Sequence, residues 1–147
     1  MPFRQVDISE KPVVYREAVA KGRIRLKKTT IDKVRKGKLE KGDAVSLAAV
    51  AAITGAKKTS ELVALCHPLR IESVEPTVEV GDGWVEVTVR VAAHEKTGVE
   101  MEALTAVAAA LLNLWDVTKA YEKDPRGQYP ETMIEAIRVV KKEKRAR

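Results

Sequence analysis

The sequence predicts an α+β fold in which one antiparallel sheet carries its helices on one face. A valine-rich hairpin is the clearest local pattern, one long helix is apolar on nearly every side, and the elements follow in the order β, α, β, β, α, β. This succession is that of the ferredoxin-like βαββαβ arrangement. At 147 residues we expect one domain over residues 1–147, with an N-terminal arm (1–12) and a basic tail (143–147).

The first half of the chain predicts a strand followed by helices. Residues Val13–Leu26 alternate loosely between apolar and polar side chains, which is the period of a strand. A charged connection, Lys27–Lys41, separates this strand from the Ala-rich segment Ala44–Ile53, for which Asp43 is the predicted N-cap. We expect a second short helix over Thr59–Leu65, which ends before the following proline.

The second half predicts a hairpin, a long helix and a last strand. Strands at 71–80 and 85–91 are joined by a Gly-Asp-Gly turn, and the valines of the second strand alternate strictly with polar residues. The next segment, Glu100–Tyr121, has the composition of a long helix. Ile137–Val140 predicts a final strand, although Glu131–Lys144 is equally compatible with a helix.

The long helix also predicts self-association. Residues 104–115 are apolar nearly all round, and such a helix must be covered on every side. One sheet in a small two-layer domain covers a single face. We therefore expect a homo-oligomeric interface over the other face of this helix.

Composition limits the classes of partner. The net charge is +6, but the segment Lys141–Arg147 alone carries five positive charges and one negative, so the charge argues only weakly for an anionic partner. The single cysteine cannot form an internal disulfide, and nothing resembles a signal peptide. The longest apolar stretch, residues 103–115, is too short to cross a bilayer. We expect a cytoplasmic protein with no membrane partner.

Cys66 and His67 lie in a predicted loop between a helix and a strand. A loop histidine is more often structural than chemical, and Cys66 is either a nucleophile activated by a nearby cation or a small buried apolar side chain. A metal site is not expected, because these two residues are adjacent and no second cysteine is present. Glu100 and Glu102, at the start of the long helix, either complement its dipole or join His67 in acid–base chemistry.

Asp116 and Lys119 lie near the other end of the same helix, one turn apart. They form either an exposed ion pair or, because Asp116 follows an apolar run, a partly buried proton-transfer pair. The 14 residues between Glu102 and Asp116 correspond to about 21 Å along a helix. One small substrate cannot contact both within one chain. If both ends are functional, the site is elongated or is assembled from two subunits.

Lys41, with the glycine and Asp43 that follow it, precedes the first predicted helix. Backbone N–H groups at a helix start, together with a lysine, suit a phosphate, although the spacing is not that of a Walker loop. Arg16 and other basic residues could add positive charge, but we expect them to be solvated surface residues.

Five short motifs identify a family resemblance. They are Lys41-Gly42-Asp43, Lys57-Lys58-Thr59, Leu65-Cys66-His67-Pro68-Leu69, Thr97-Gly98-Val99-Glu100-Met101-Glu102-Ala103-Leu104-Thr105-Ala106 and Trp115-Asp116-Val117-Thr118-Lys119-Ala120. With these motifs in this order, the chain resembles the molybdenum cofactor biosynthesis protein C family, the cyclic pyranopterin monophosphate synthases. The resemblance runs from Val6 to about Lys142, nearly the whole chain.

The resemblance implies a specific reaction. The family converts (8S)-3',8-cyclo-7,8-dihydroguanosine 5'-triphosphate to cyclic pyranopterin monophosphate with release of pyrophosphate, and its members are similar in forming hexamers, each a trimer of dimers. Asp116 matches the active-site acid/base, and Lys119 and Lys41 match catalytic lysines. We expect six residues to contact the substrate: Leu65, Cys66, His67, Glu100, Met101 and Glu102. No resident cofactor or metal is expected, and whether Mg²⁺ accompanies the substrate phosphates stays open.

One segment departs from the family pattern. Many members end in a Gly-Gly-Lys-Ser-Gly type of tail, whereas here Lys142 is followed by residues 143–147, a mainly basic segment for which we favour plain solvated charge.

Two other functions fit less of the sequence. A non-catalytic nucleotide- or nucleic-acid-binding module explains the charge alone and lacks aromatic stacking residues. A small oligomeric ligand-sensing domain explains the architecture alone.

Overall fold

The computed structural model describes residues 2–146, which form a four-stranded antiparallel sheet in the order β2-β3-β1-β4 with helices on one face. This order confirms the predicted ferredoxin-like α+β fold. The elements are β1 (Val14–Arg25), α1 (Lys28–Arg35), α2 (Ala44–Lys57), α3 (Thr59–Leu62), β2 (Ser73–Val80), β3 (Trp84–Glu95), α4 (Glu100–Glu122) and β4 (Met133–Arg145). Residues 143–145 of the predicted basic tail belong to β4, and Arg147 lies outside the described residues.

The two central strands build the core by simple alternation. The valines at 85, 87, 89 and 91 of β3 are fully buried, and they pair across the ladder with small or branched residues of β1 that include Ala18, Ala20 and Ile24. Small side chains in β1 let α4 approach the sheet closely. A Cβ added at Gly22 would lie 3.0 Å from side-chain atoms of both Leu111 and Val107 in α4. The long helix is therefore seated directly on the sheet.

The other face of the sheet carries an ion-pair network. Glu17 is buried, with only 6% of its surface exposed. Its carboxylate accepts a hydrogen bond from the Tyr15 hydroxyl at 2.6 Å and forms salt bridges with Arg90 at 2.9 Å and Lys141 at 3.2 Å. The hydrogen bond from Tyr15, supported by those from the two cations, outweighs the effect of burial and lowers the pKa of Glu17 to about 2. Lys141 is thus engaged with the sheet.

The last element is a strand, so the helical alternative for residues 131–144 is wrong. It extends over Met133–Arg145, well beyond the predicted Ile137–Val140, and pairs antiparallel with β1. The pairing shifts register at two places, and Ala136 has a positive φ of 58° beside one of them. These bulges bend an edge strand whose far end reaches the candidate site described below.

The connection Lys27–Lys41 contains a helix, α1, that the sequence analysis missed. Its eight residues include two apolar ones, Ile31 and Val34, and both are buried. Two apolar positions are too few to produce a recognisable helical period. Contacts with the rest of the fold, and not local propensity, therefore decide its structure.

Helix α2 packs against α4 through a close backbone approach. Asp43 caps α2 as predicted, since its carboxylate accepts a hydrogen bond from the backbone N–H of Ser46 at 3.0 Å. The helix continues to Lys57, past its predicted end at Ile53. A Cβ at Gly55 would lie 2.6 Å from the Cβ of Ala109, so this glycine allows the two helices to touch. The short helix α3 ends at Leu62, earlier than predicted.

The apolar surface of α4 is covered by the sheet and by α2. By length and composition alone this helix could cross a membrane, which revises the expectation that the apolar stretch is too short. In the structure it is a core helix, with Ala103, Val107, Leu111 and Leu114 fully buried. Leu112 stays 62% exposed. Helix α2 thus covers part of the α4 surface that we expected a second subunit to cover. The homo-oligomeric interface stays a prediction.

The C-terminal end of α4 is held by a buried carboxylate. Glu122 accepts hydrogen bonds from the backbone N–H of Lys27 at 3.1 Å, from the Thr132 hydroxyl at 2.7 Å and from the Thr30 hydroxyl. These partners belong to the entry to α1, to α1 itself and to the segment before β4. One side chain therefore fixes the end of α4 against two other elements.

Candidate active site

The six residues predicted to contact substrate line one cavity. Its volume is about 500 Å³, and it lies between the loop that follows α3 and the first turn of α4. The loop contributes Leu65, Cys66 and His67, while the helix contributes Glu100, Met101 and Glu102. The six residues predicted from the sequence are therefore close together in the fold. Their functional roles stay predictions.

Two carboxylates of the cavity have pKa values displaced in opposite directions. Glu102 is 3% exposed, and burial, with a smaller contribution from the charges of Glu100 and Glu95, raises the pKa of Glu102 to about 7. Burial also tends to raise the pKa of Glu100. A hydrogen bond from Lys142, at 3.0 Å, is the largest of the opposing effects, and the pKa of Glu100 lies below its usual value. Near neutral pH the cavity thus holds an ionised carboxylate beside one that exchanges its proton.

The environment of Cys66 argues against a nucleophilic role. The side chain is half-buried, and burial, with the charge of Glu102, raises the pKa of its thiol. A nucleophilic cysteine requires the opposite shift. Cys66 therefore fits the alternative of a small apolar wall residue.

Four cations line this cavity that were not predicted as site residues, and two of them, Arg16 and Lys142, lie in the sheet. Arg16 is 5% exposed, and its guanidinium donates to the backbone carbonyls of Glu95 at 3.3 Å and Lys96 at 3.2 Å. Lys142 reaches the cavity because β4 is longer than predicted. The expectation that Arg16 is a solvated surface residue is wrong. No local pattern signals its burial, because the residue is covered by loops that are distant in sequence.

The three predicted catalytic residues form a second cluster near the other end of α4. The ammonium of Lys41 donates to both carboxylate oxygens of Asp116 at 3.1 Å, and the ammonium of Lys119 lies 3.2 Å from one of them. The Asp116 side chain is 53% exposed, so the pair fits the alternative of an exposed ion pair, and the alternative of a partly buried pair is wrong. The hydrogen bonds from Lys41 and Lys119 lower the pKa of Asp116 and keep it ionised.

The two clusters are separate within one chain. None of the residues of the second cluster lines the cavity of about 500 Å³. Asp116 and Lys119 instead border a shallow depression with Leu112, Trp115 and Tyr129. Glu102 and Asp116 lie in the same continuous helix, so the helical spacing of about 21 Å applies, and a site that uses both clusters is either elongated or assembled from two chains.

Comparison with known proteins identifies the family. The model of the MoaC family matches residues 5–145. The chain belongs to the MoaC family. Curated relatives named "Probable cyclic pyranopterin monophosphate synthase" include one from Thermococcus kodakarensis, 54% identical over 96% of this chain and 90% of the relative. Others come from Sulfolobus acidocaldarius, 53% identical over 93% of this chain and 96% of the relative, and from Aeropyrum pernix, 54% identical over 95% of each. The resemblance inferred from the motifs is confirmed.

The segment Lys41-Gly42-Asp43 does not form the phosphate site that we expected at the start of α2. The start of α2 is not an open phosphate site, because the Asp43 carboxylate accepts hydrogen bonds from both the backbone N–H and the hydroxyl of Ser46. These bonds lower the pKa of Asp43 and keep a negative charge at the helix end. Lys41 is turned toward Asp116 instead. Among residues 2–146, no group of three or more His, Cys, Asp or Glu side chains is placed to hold a metal ion.

Proposed function

We propose that this chain converts (8S)-3',8-cyclo-7,8-dihydroguanosine 5'-triphosphate to cyclic pyranopterin monophosphate and releases pyrophosphate. Membership of the MoaC family and the names of the relatives confirm the expected class, a lyase of molybdenum cofactor biosynthesis. The observation that carries the proposal is the cavity in which Glu100 and Glu102 have pKa values shifted in opposite directions.

The cavity residues supply the required chemistry. Rebuilding a purine-derived ring system into a pterin needs several proton transfers, and a positioned acid or base accelerates each by about 10²–10⁴-fold. Glu102 donates a proton near neutral pH, and Glu100, ionised beside Lys142, accepts one. Arg16 and Lys142 place positive charge where phosphate oxygens gain negative charge as pyrophosphate leaves.

A second subunit completes the site in this proposal. Asp116, Lys119 and Lys41 lie on the surface, about half exposed, and a neighbouring chain could place its cavity against them. Asp116 is then the acid/base that begins as a base, because the two lysines keep it ionised. The same lysines also stabilise phosphate charge. We propose a homohexamer, a trimer of dimers, as the assembly that provides this contact.

Single-turnover conversion of the cyclised nucleotide, followed by pyrophosphate release, tests the function and the roles. We expect Asp116→Asn and Lys119→Ala to slow release by about 100-fold or more. A matched control exists in α1, where Lys36 pairs with Asp32 at 3.0 Å with similar exposure. Asp32→Asn and Lys36→Ala should react at the wild-type rate. An inert wild-type protein would exclude the function, and equal rates in all variants would exclude the roles.

Subunit sharing has its own test. His67→Ala inactivates the cavity, and Asp116→Asn inactivates the surface cluster. Mixing the two variants after dissociation and reassociation should regenerate some intact sites and restore part of the activity. A mixture as inactive as its components would show that both clusters act within one chain.

We also propose that the enzyme is cytoplasmic, has no resident cofactor or metal and uses no nucleic-acid or membrane partner. Pyrophosphate release after treatment with EDTA is the measurement. Retained activity would support the absence of a required metal ion, whereas a loss reversed by Mg²⁺ would assign the ion to the substrate phosphates.

A further inference from the structure

The N-terminal arm, residues 2–12, forms one wall of the cavity although it contains no helix or strand. Arg4, Val6, Ile8 and Lys11 of the arm line the cavity, yet the whole arm is exposed except for Ile8, which is half-buried. A segment that buries so little apolar surface is held by few contacts. Segments of this kind open and close over binding sites.

Two long-range hydrogen bonds fasten the arm at the edge of the cavity. The side-chain amide of Gln5 donates to the Cys66 carbonyl at 3.1 Å, and the ammonium of Lys96 donates to the Ser9 carbonyl at 3.3 Å. Exposed hydrogen bonds of this type contribute little net stability. The first bond joins the arm to the loop that carries His67. Movement of the arm is therefore linked to the wall of the cavity.

The arm carries two cations that have no carboxylate partner. Within residues 2–146, neither Arg4 nor Lys11 makes a salt bridge. The deeper cations of the cavity are engaged, Lys142 with Glu100 at 3.0 Å and Arg16 with two backbone carbonyls. Among the four cations that line the cavity, Arg4 and Lys11 are therefore the two that can meet an entering anion without giving up an existing partner.

We propose that the N-terminal arm closes over the bound nucleotide and that Arg4 and Lys11 bind its phosphates. The inference rests on the proposed function, because the triphosphate substrate supplies the anion. Closure would desolvate the cavity and strengthen the interactions of its charges. Departure of pyrophosphate would remove the anion that holds the arm, and the arm would open.

Steady-state kinetics of pyrophosphate release test the two cations. The variant Arg4→Ala/Lys11→Ala should raise KM by about tenfold to 100-fold, because each lost charge-assisted contact weakens binding by about tenfold. The value of kcat should change less. The matched control is Lys28→Ala/Lys36→Ala, which removes two exposed lysines, one at the start of α1 and one directly after its end, and should leave KM unchanged. A KM equal to the control, or a loss confined to kcat, would overturn the proposal.

Binding of inorganic pyrophosphate separates this inference from the proposed function. Pyrophosphate should slow amide hydrogen exchange in residues 3–12 of the wild-type protein, and its affinity should fall in Arg4→Ala/Lys11→Ala but not in the α1 control. Unchanged exchange and affinity would reject the closing arm even if the wild type turns over. A wild type that binds pyrophosphate in this way without turnover would reject the proposed reaction and retain the arm.

Discussion

The two ends of α4 present the same kinds of side chain in opposite electrostatic states. Near its first turn, Glu102 is 3% exposed, and burial raises its pKa to about 7. Near its last turns, the exposed Asp116 accepts hydrogen bonds from Lys41 and Lys119, which lower its pKa. Burial makes the first carboxylate a proton donor near neutral pH, and the paired lysines keep the second ionised at that pH, so that it starts as a proton acceptor.

This difference suggests a division of labour along one helix. The buried end can exchange protons with a bound ring system, because its carboxylate titrates near neutrality. The exposed end presents one anion and two cations on the surface, where they are accessible to a ligand held by another chain. In the assembly that we propose, this one helix would supply one half of each of two composite sites.

The largest effect that we predict comes from Glu102→Gln. Gln keeps the shape of the side chain but cannot deliver the proton, so kcat should fall by about 10²–10⁴-fold. In the wild type, kcat/KM should decline as pH rises above about 7, because the proton donor is lost as Glu102 ionises. The variant should lack this decline. Measurement of kcat/KM from pH 5 to 9 checks both expectations.

Glu95→Gln is the control for this experiment. The negative charge of Glu95 contributes to the raised pKa of Glu102. The Glu95 carboxylate itself accepts a hydrogen bond from the backbone N–H of Arg70 at 2.7 Å. Its substitution should shift the decline slightly toward lower pH without removing it. A decline that persists unchanged in Glu102→Gln would assign the titration to another group.

Local patterns in the sequence account for the fold and for the composition of both clusters. The valines of β3 alternate with the period of a strand, and the apolar run of α4 has the length and composition of a buried helix. The motifs selected the side chains that meet in the cavity and around Asp116. What the sequence could not provide was the state of these groups. Burial of Glu102 and exposure of Asp116 depend on loops far away in the chain.

The missed features have the same origin. Helix α1 has two buried apolar residues and is defined by tertiary contacts, among them the hydrogen bond from Thr30 to Glu122. Arg16 is buried because the segment after β3 offers its carbonyls to the guanidinium. The two apolar residues of α1 give only one helical i,i+3 spacing, and the burial of Arg16 leaves no local pattern. Long-range pairing must be known before such residues can be placed.

The second prediction concerns the anchor that positions the exposed end of α4. Glu122→Ala would leave the backbone N–H of Lys27 and the hydroxyls of Thr30 and Thr132 without their buried acceptor. We expect a loss of about 3 kcal/mol in the free energy of unfolding, measured by urea denaturation. Glu131→Ala, an exposed carboxylate nearby, should change it by less than about 0.5 kcal/mol. Equal effects would show that Glu122 is not an anchor.

The smallest predicted effect compares the two ends through the pH dependence of stability. The pKa of Glu102 is raised from 4.5 to about 7 on folding, so the folded state binds this proton more tightly than the unfolded state. Its contribution to stability is complete below about pH 4.5 and is lost as pH rises through 7, and the loss between pH 5 and pH 8 amounts to about 2.5 kcal/mol. Glu102→Gln should remove this loss and be more stable than the wild type at pH 8. Asp116→Asn should keep the wild-type dependence over the same range, because its exposed carboxyl is ionised throughout. Urea midpoints measured at pH 5, 6.5 and 8 distinguish the two variants, and parallel curves for both would contradict the contrast between the two ends of α4.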